Sequence, residues 1–136
     1  MIHLFPICLS FLAGLAVSCI GKLDGTWKPT SGAFAGNALP KAMLDKMVLV
    51  IKGGTYDYDE GNGHDTGLLK EVAVSEGPFA MDIHGEEGPN KGKTIPTIYK
   101  VEGSTLEICY GLDGHRPTAF ESKEKTMTML MTYHRD

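Results

Sequence analysis

The first 18 residues contain no Asp, Glu, Lys or Arg, although 22% of the whole chain is charged. Their apolar stretch, residues 4–17, is interrupted by Pro6, Ser10 and Gly14 and is shorter than the ~20 residues that a membrane-spanning helix needs. Small residues follow this stretch, which is typical of a secretory signal. We predict a signal peptide over residues 1–18 and an exported protein of the periplasm or cell envelope. An uncleaved anchor is the alternative, because the first three residues lack Lys and Arg.

Cysteine is scarce, and one of the three cysteines, Cys8, lies in the predicted signal. The sequence Ala-Val-Ser-Cys at residues 16–19 is typical of a bacterial lipobox, with Ala where Leu is usual. Lipidation of Cys19 would attach the protein to a membrane, since each buried CH₂ contributes ~0.8 kcal/mol. Ordinary cleavage near Ser18 is the alternative. A lipidated Cys19 leaves Cys109 without a disulfide partner, whereas an unmodified Cys19 allows a Cys19–Cys109 bridge.

Basic runs are absent, and the chain has 13 Lys and Arg against 17 Asp and Glu, a net charge of −4. This balance argues against nucleic-acid binding and against electrostatic attachment to anionic lipids. Residues 19–136 are numerous enough to bury one core, and no linker or repeat indicates a second domain. We expect a single domain over residues 19–136 and a monomer.

Motifs for catalysis are also missing, since there is no Gly-x-Ser-x-Gly, His-Glu-x-x-His or phosphate-binding loop. Cys109 has no basic neighbour to stabilise a thiolate, so we interpret it as packing. The five histidines are dispersed, and the acidic residues around 57–65 lack the order of a calcium loop and fit a solvated hairpin tip. We predict no enzymatic activity, no cofactor and no metal site.

Glycine separates short apolar runs along the rest of the chain, and several runs alternate with period two. A helix is predicted at residues 39–46, with Asn37 as its cap, after a loop at 31–37. The continuous apolar run at 47–51 indicates a strand that is covered on both faces. The predicted fold is all-β, a small antiparallel barrel of about eight strands with one short helix between strands one and two. The predicted strands are residues 24–28, 47–51, 55–59, 68–75, 79–84, 95–101, 105–110 and 126–133.

The run Gly-Thr-Trp-Lys at residues 25–28 resembles the opening strand of the lipocalin and fatty-acid-binding superfamily, which carries Gly-x-Trp. A longer series resembles a planctomycete-type bacterial lipocalin-like domain family of uncharacterised function. The series comprises Leu-Asp-Gly-Thr-Trp (23–27), Gly-Lys-Thr (92–94), Ile-Tyr (98–99), Gly-Ser-Thr-Leu (103–106), Ile-Cys-Tyr-Gly (108–111) and Arg-Pro-Thr-Ala-Phe (116–120). The resemblance implies a β-barrel and no particular activity. It also implies a structural role for Arg135, which would stack on Trp27 at the barrel end.

Methionine alternates with other residues in the last predicted strand, where Met127, Met129 and Met131 share a face. Core packing, the lining of an apolar site and copper binding are three interpretations of this face. Arg116 could bind a ligand carboxylate or tie its loop to a strand. The candidate ligand-binding residues of the barrel interior are Tyr58, Phe79, Met81, Tyr110, Met127, Met129 and Met131, together with Arg116.

We expect a non-catalytic lipocalin-like domain that binds a small apolar ligand. The alternative is a solid-cored envelope protein that acts through surface contacts with other proteins or the cell wall. Volume discriminates between the two hypotheses, because a pocket for an ordinary ligand needs ~300 Å³ or more.

Overall fold

The computed structural model describes residues 19–136, and the predicted signal peptide at residues 1–18 lies outside the described residues. Strands dominate this part of the chain, with one 3₁₀ turn at Ile20–Leu23 and one short helix, α1, at Lys41–Leu44. The strands are β1 (Gly25–Phe34), β2 (Asn37–Ala38), β3 (Val48–Lys52), β4 (Thr55–Asp59), β5 (His64–Val72), β6 (Phe79–Glu87), β7 (Thr94–Glu102), β8 (Thr105–Gly111) and β9 (Thr128–His134).

Eight of these strands close into an antiparallel barrel, because β1 pairs with both β3 and β9. The start of β1 pairs with β3 and the remainder pairs with β9. A register shift between Pro29 and Ser31 leaves one extra residue in β1, and a bulge of this kind bends a strand. The extra strand β2 pairs with the end of β1. The predicted fold class is confirmed.

Two local predictions near β1 are wrong. Residues 31–34, expected in a loop, extend β1, because pairing with β9 supplies hydrogen bonds that local sequence does not reveal. Helix α1 covers four residues instead of residues 39–46. Pro40 is the residue that precedes the helix, whereas Asn37 lies in β2 and donates from Nδ2 to the Ala35 carbonyl.

Strand β3 is also less covered than its apolar run predicts. Leu49 and Ile51 are buried, but Val50 between them is 39% exposed. Helix α1 contacts β1 and leaves the outer face of β3 in solvent. The strand therefore alternates as a half-buried strand does.

The barrel has two ends, which we call the closed end and the open end. The 3₁₀ turn, the β3–β4 and β7–β8 turns and the C-terminus lie at the closed end. Helix α1, the turn at residues 60–63 and the loops at 88–93 and 112–127 lie at the open end. None of the helices in residues 19–136 is long and apolar enough to span a bilayer.

Candidate functional site in the barrel interior

Trp27 and Arg135 seal the closed end. Trp27 is fully buried, and its Nε1 donates to the Leu23 carbonyl at 2.8 Å. The guanidinium carbon of Arg135 lies 4.4 Å from the centroid of the Trp27 ring, a contact that contributes ~0.5–2 kcal/mol. The guanidinium nitrogens donate at 2.6–3.1 Å to three backbone carbonyls, those of Lys22, Asp24 and Gly103. Arg135 therefore ties the 3₁₀ turn and the β7–β8 turn to the barrel wall.

Glu71 adds a polar contact at the same end. Its carboxylate accepts from the Tyr99 hydroxyl at 2.8 and 3.0 Å and from the backbone N–H of Cys19 at 3.1 Å. Burial, followed by the charge of Glu71, raises the pKa of Tyr99, so this phenol is a neutral donor at physiological pH. Cys19 is itself buried beside the 3₁₀ turn, and its lipidation stays a prediction.

Three tyrosine hydroxyls form a hydrogen-bonded chain across the interior. The Tyr133 hydroxyl lies 2.9 Å from that of Tyr58 and 2.7 Å from that of Tyr110. Burial raises the pKa of Tyr58 to about 12 and raises the pKa of Tyr110 and Tyr133 well above their ordinary value. All three hydroxyls are therefore protonated at physiological pH, and each hydrogen bond joins neutral groups.

A cavity of about 60 Å³ lies in the barrel interior, and its lining extends from Glu60 and Asn90 at the open end to Ile51 and Met81 deeper in the barrel. One water molecule takes up ~30 Å³ in the liquid, so this space suits a few non-hydrogen atoms. A pocket for a drug-sized molecule is larger by a factor of about five or more. Most of the lining is apolar or aromatic, and it comprises Leu49, Ile51, Tyr56, Tyr58, Leu69, Met81, Ile83, Ile95, Ile108, Tyr110, Leu112 and Met129, with Glu60, Asp65 and Asn90 as its polar members.

Asp65 places a carboxylate in this lining. In β5 it shares a face with Gly67 and Leu69, and its side chain is turned into the barrel with only 4% of the residue exposed. Its Oδ2 accepts from Asn90 Nδ2 at 2.7 Å and from the Tyr56 hydroxyl at 3.4 Å. Its Oδ1 has no hydrogen-bond partner among residues 19–136. A buried carboxylate oxygen without a partner is unfavourable, which makes Asp65 a candidate binding residue.

Glu60 makes the same part of the cavity more acidic. It is half-buried at the rim, where burial and then the charge of Asp65 raise the pKa of its carboxyl group. Burial, followed by the charge of Asp65, also raises the pKa of Tyr56. The described lining residues include no Lys or Arg. The electrostatics of the cavity therefore suit a cation better than an anion.

The loop after β6 brings Asn90 to Asp65, and two glycines allow its close approach to the barrel. A Cβ atom at Gly85 would lie 2.0 Å from the Asn90 carbonyl oxygen. Gly88 has a φ of +98°, and a Cβ atom there would lie 2.4 Å from the His64 carbonyl oxygen. Any larger residue at either position would displace the loop. The side-chain amide of Asn90, which donates to Asp65, would move with it.

Four of the predicted interior residues, Tyr58, Met81, Tyr110 and Met129, line the cavity. Met131 is fully buried in the core, outside this lining. Phe79 lies towards the closed end, where its ring centroid is 6.1 Å from that of Tyr99.

The placement of Met127 in the barrel interior is wrong. This residue is 48% exposed, and β9 begins after it. Its backbone carbonyl accepts from the Leu112 N–H at 2.9 Å, which closes the loop at the open end. Inward and outward alternation holds within a strand, and Met127 lies beyond the end of β9.

The placement of Arg116 in the barrel interior is also wrong. Its guanidinium binds Asp82 Oδ1 at 2.7 Å and the Thr97 carbonyl at 2.9 Å. Asp82 lies between Met81 and Ile83, whose side chains are in the core, so Asp82 is on the outer face of β6. Arg116 ties the long loop to the outside of the barrel.

The same loop covers Cys109. This cysteine is a buried free thiol, so the alternative of a Cys19–Cys109 disulfide is wrong. Its Sγ lies 3.5 Å from the carbonyl oxygens of Ala119 and Glu121, and burial raises its pKa. These contacts indicate packing, since a reactive thiol needs an environment that lowers its pKa.

Asp65 was not among the predicted site residues. It lies in a stretch expected to be a loop, whereas β5 begins one residue before it, at His64. The signal was present in the alternation, because counting back from Leu69 in steps of two reaches Gly67 and Asp65.

Comparison of the chain with protein-family models, with curated proteins and with solved structures finds no match. In the described part of the chain, no group of three or more His, Cys, Asp or Glu side chains is arranged to hold a metal ion. The cavity and the carboxylate of Asp65 are thus the features on which a functional hypothesis can be based.

Proposed function

We propose that this chain is an exported, non-catalytic, lipocalin-like domain that binds a small ligand at the open end of its barrel. The observation that carries the proposal is the cavity of about 60 Å³ whose largely apolar lining contains the unpartnered Oδ1 of Asp65. Small-molecule sites combine an apolar lining with a few well-placed polar groups, and this cavity has that composition.

The volume of the cavity limits the size of the ligand. A fatty acid or a tetrapyrrole needs several times the available volume. The buried tyrosines Tyr58, Tyr110 and Tyr133 occupy the middle of the barrel and would have to move to admit either one. The proposed ligand has a short apolar part and one polar group.

Export and membrane attachment belong to the same proposal. The uncharged residues 1–18 support export, and the sequence at residues 16–19 supports a lipid anchor at Cys19. Resemblance of residues 23–27 and the later motifs to bacterial lipocalin-like domains supports the family assignment.

Native mass spectrometry tests ligand binding. The full chain is produced in an exporting host and purified. Its mass is then measured before and after extraction with organic solvent. We expect a small bound mass that extraction removes and that Met129→Trp reduces, because this substitution fills the cavity from its lining. The matched control is Val50→Trp, on the exposed face of β3. Loss of the bound mass in both variants would contradict the proposal, and so would a bare wild-type mass together with no uptake of the probes described below.

A second candidate function is a solid-cored envelope protein that acts through its outer surface. The small volume of the cavity and the complete burial of Trp27, Tyr99 and Tyr133 favour it. A bare protein mass, together with no uptake of the probes described below, would select this candidate.

A further inference from the structure

We propose that the open-end cavity selects a small primary ammonium compound, with its charged nitrogen on Asp65 Oδ1 and its short alkyl part against the apolar lining. This inference rests on the proposed function and names the chemical class of the ligand. It is carried by the position of a 96%-buried carboxylate in an otherwise largely apolar cavity.

The hydrogen-bonding needs of Asp65 define the polar group of the ligand. Asn90 and Tyr56 donate to Oδ2, which leaves Oδ1 to accept from a further donor. An ionised carboxylate is acceptor-only, so the partner must present N–H or O–H groups. An ammonium presents three donors and a positive charge, and charge-assisted hydrogen bonds are roughly twice as strong as neutral ones.

The surroundings of Oδ1 favour a positive charge over a neutral hydroxyl. Glu60 adds a second carboxylate at the rim, and no cationic side chain is among the described lining residues. The aromatic rings of Tyr56, Tyr58 and Tyr110 also line the cavity, and the faces of such rings attract cations. A carboxylate or phosphate ligand would be repelled by both acidic residues.

Volume and donor type favour an alkylammonium over a metal ion. Calcium requires six to eight oxygen ligands, whereas the polar members of this lining are Asp65, Glu60, Asn90 and the tyrosine hydroxyls. Apolar side chains such as Met81, Ile83 and Ile108 form the rest, and they match a hydrocarbon group. A space of about 60 Å³ suits a few non-hydrogen atoms, and ethylammonium has three.

The experiment is an NMR titration of the full chain with ethylammonium chloride, against equal concentrations of sodium chloride. The matched probes are 1-propanol as the neutral analogue, sodium propionate as the anionic analogue and calcium chloride as the metal. A ligand of three non-hydrogen atoms binds no more tightly than about 0.5 mM, so the titration extends to tens of millimolar. We expect saturable shifts with ethylammonium and intermolecular NOEs from its ethyl protons to side chains of the cavity lining.

Two variants test the role of the carboxylate. Asp65→Asn should weaken ethylammonium binding by roughly tenfold to a hundredfold, because it removes a charge-assisted hydrogen bond. Asp57→Asn is the matched control on the neighbouring strand, since Asp57 is exposed and binds His64 outside the cavity. Its affinity for ethylammonium should equal that of the wild type. If Asp65→Asn does not fold, the NOEs in the wild type still test whether ethylammonium binds in the cavity.

The outcomes separate this inference from the proposed function. Binding of 1-propanol or propionate in the cavity as tightly as ethylammonium would overturn the ammonium selectivity and leave a small-ligand site. Calcium binding that requires Asp65 would show that the cavity holds a metal ion and would overturn the proposal of an ammonium ligand. No saturable shift with any probe would overturn the inference, and a bare mass in the native spectrum would then overturn the proposed function as well.

Discussion

The two ends of the barrel differ in how their polar groups are hydrogen-bonded. At the closed end, Trp27, Tyr99 and Arg135 all have hydrogen-bond partners at 2.6–3.1 Å. At the open end, Asp65 Oδ1 is the one buried side-chain oxygen or nitrogen in residues 19–136 that lacks a partner. Proteins tolerate such departures from good packing mainly where they bind or react. The comparison suggests that the closed end stabilises the fold and that the open end is organised for a ligand.

The largest expected effect is at the closed end. Trp27→Ala should lower the free energy of unfolding by about 3–5 kcal/mol, because it removes a fully buried ring and its contact with Arg135. Urea unfolding followed by circular dichroism measures this loss. The control Val50→Ala, at an exposed apolar position of β3, should cost less than about 0.5 kcal/mol. Equal losses in the two variants would show that buried Trp27 stabilises the fold no more than the exposed Val50 does.

The tyrosine chain gives the next largest effect. Tyr133→Phe should destabilise the protein by about 1–3 kcal/mol, because it leaves the hydroxyls of both Tyr58 and Tyr110 without this partner. Tyr110→Phe should cost less, since Tyr133 keeps its hydrogen bond to Tyr58. The two variants are compared by urea unfolding under the same conditions. A larger loss for Tyr110→Phe would show that the hydroxyl chain does not stabilise the core in this way.

At the open end, the same kind of measurement should give a small effect. Asp65→Asn should change the free energy of unfolding by less than about 1 kcal/mol without ligand, because an amide oxygen can still accept from Asn90 and Tyr56. Thermal unfolding with and without ethylammonium chloride measures the difference. We expect the ligand to raise the Tm of the wild type and to raise that of the variant much less at the same concentration. A loss comparable to that of Trp27→Ala would mean that Asp65 is a structural residue.

The smallest effect concerns the pH dependence contributed by Glu60. Folding raises the pKa of this carboxyl group, so its stabilising contribution is present below the ordinary pKa and is lost as the pH rises through the raised value. Glu60→Gln should therefore be more stable than the wild type at pH 7, by less than about 1 kcal/mol because solvent screens the half-exposed group. The difference should vanish near pH 3.5. Urea unfolding at the two pH values measures it, and a variant that is less stable at pH 7 would contradict the assignment.

Much of the barrel was predictable because its core alternates cleanly. Tyr56 and Tyr58 in β4, and Met131 and Tyr133 in β9, share buried faces as period-two alternation requires. The extension of β1 was missed, because its small residues have weak strand preference and the pairing with β9 is distant in sequence. Local patterns cannot report a partner about a hundred residues away.

The candidate site was less predictable than the fold. Tyr58, Met81, Tyr110 and Met129 were expected in the interior and line the cavity, since strand alternation determines their facing. Arg116 and Met127 were misplaced, because both lie in the long loop at the open end, where alternation does not apply. Asp65 fails for the opposite reason, since the sequence around it predicts a loop whereas the residue lies in β5.

The most direct test of an ammonium site at Asp65 is a crystal structure of the protein with ethylammonium chloride, compared with a crystal grown in sodium chloride. We expect an ammonium nitrogen about 2.7–2.9 Å from Asp65 Oδ1, with the ethyl group against the apolar part of the cavity lining. The same ordered water molecules at Oδ1 in both crystals would contradict it.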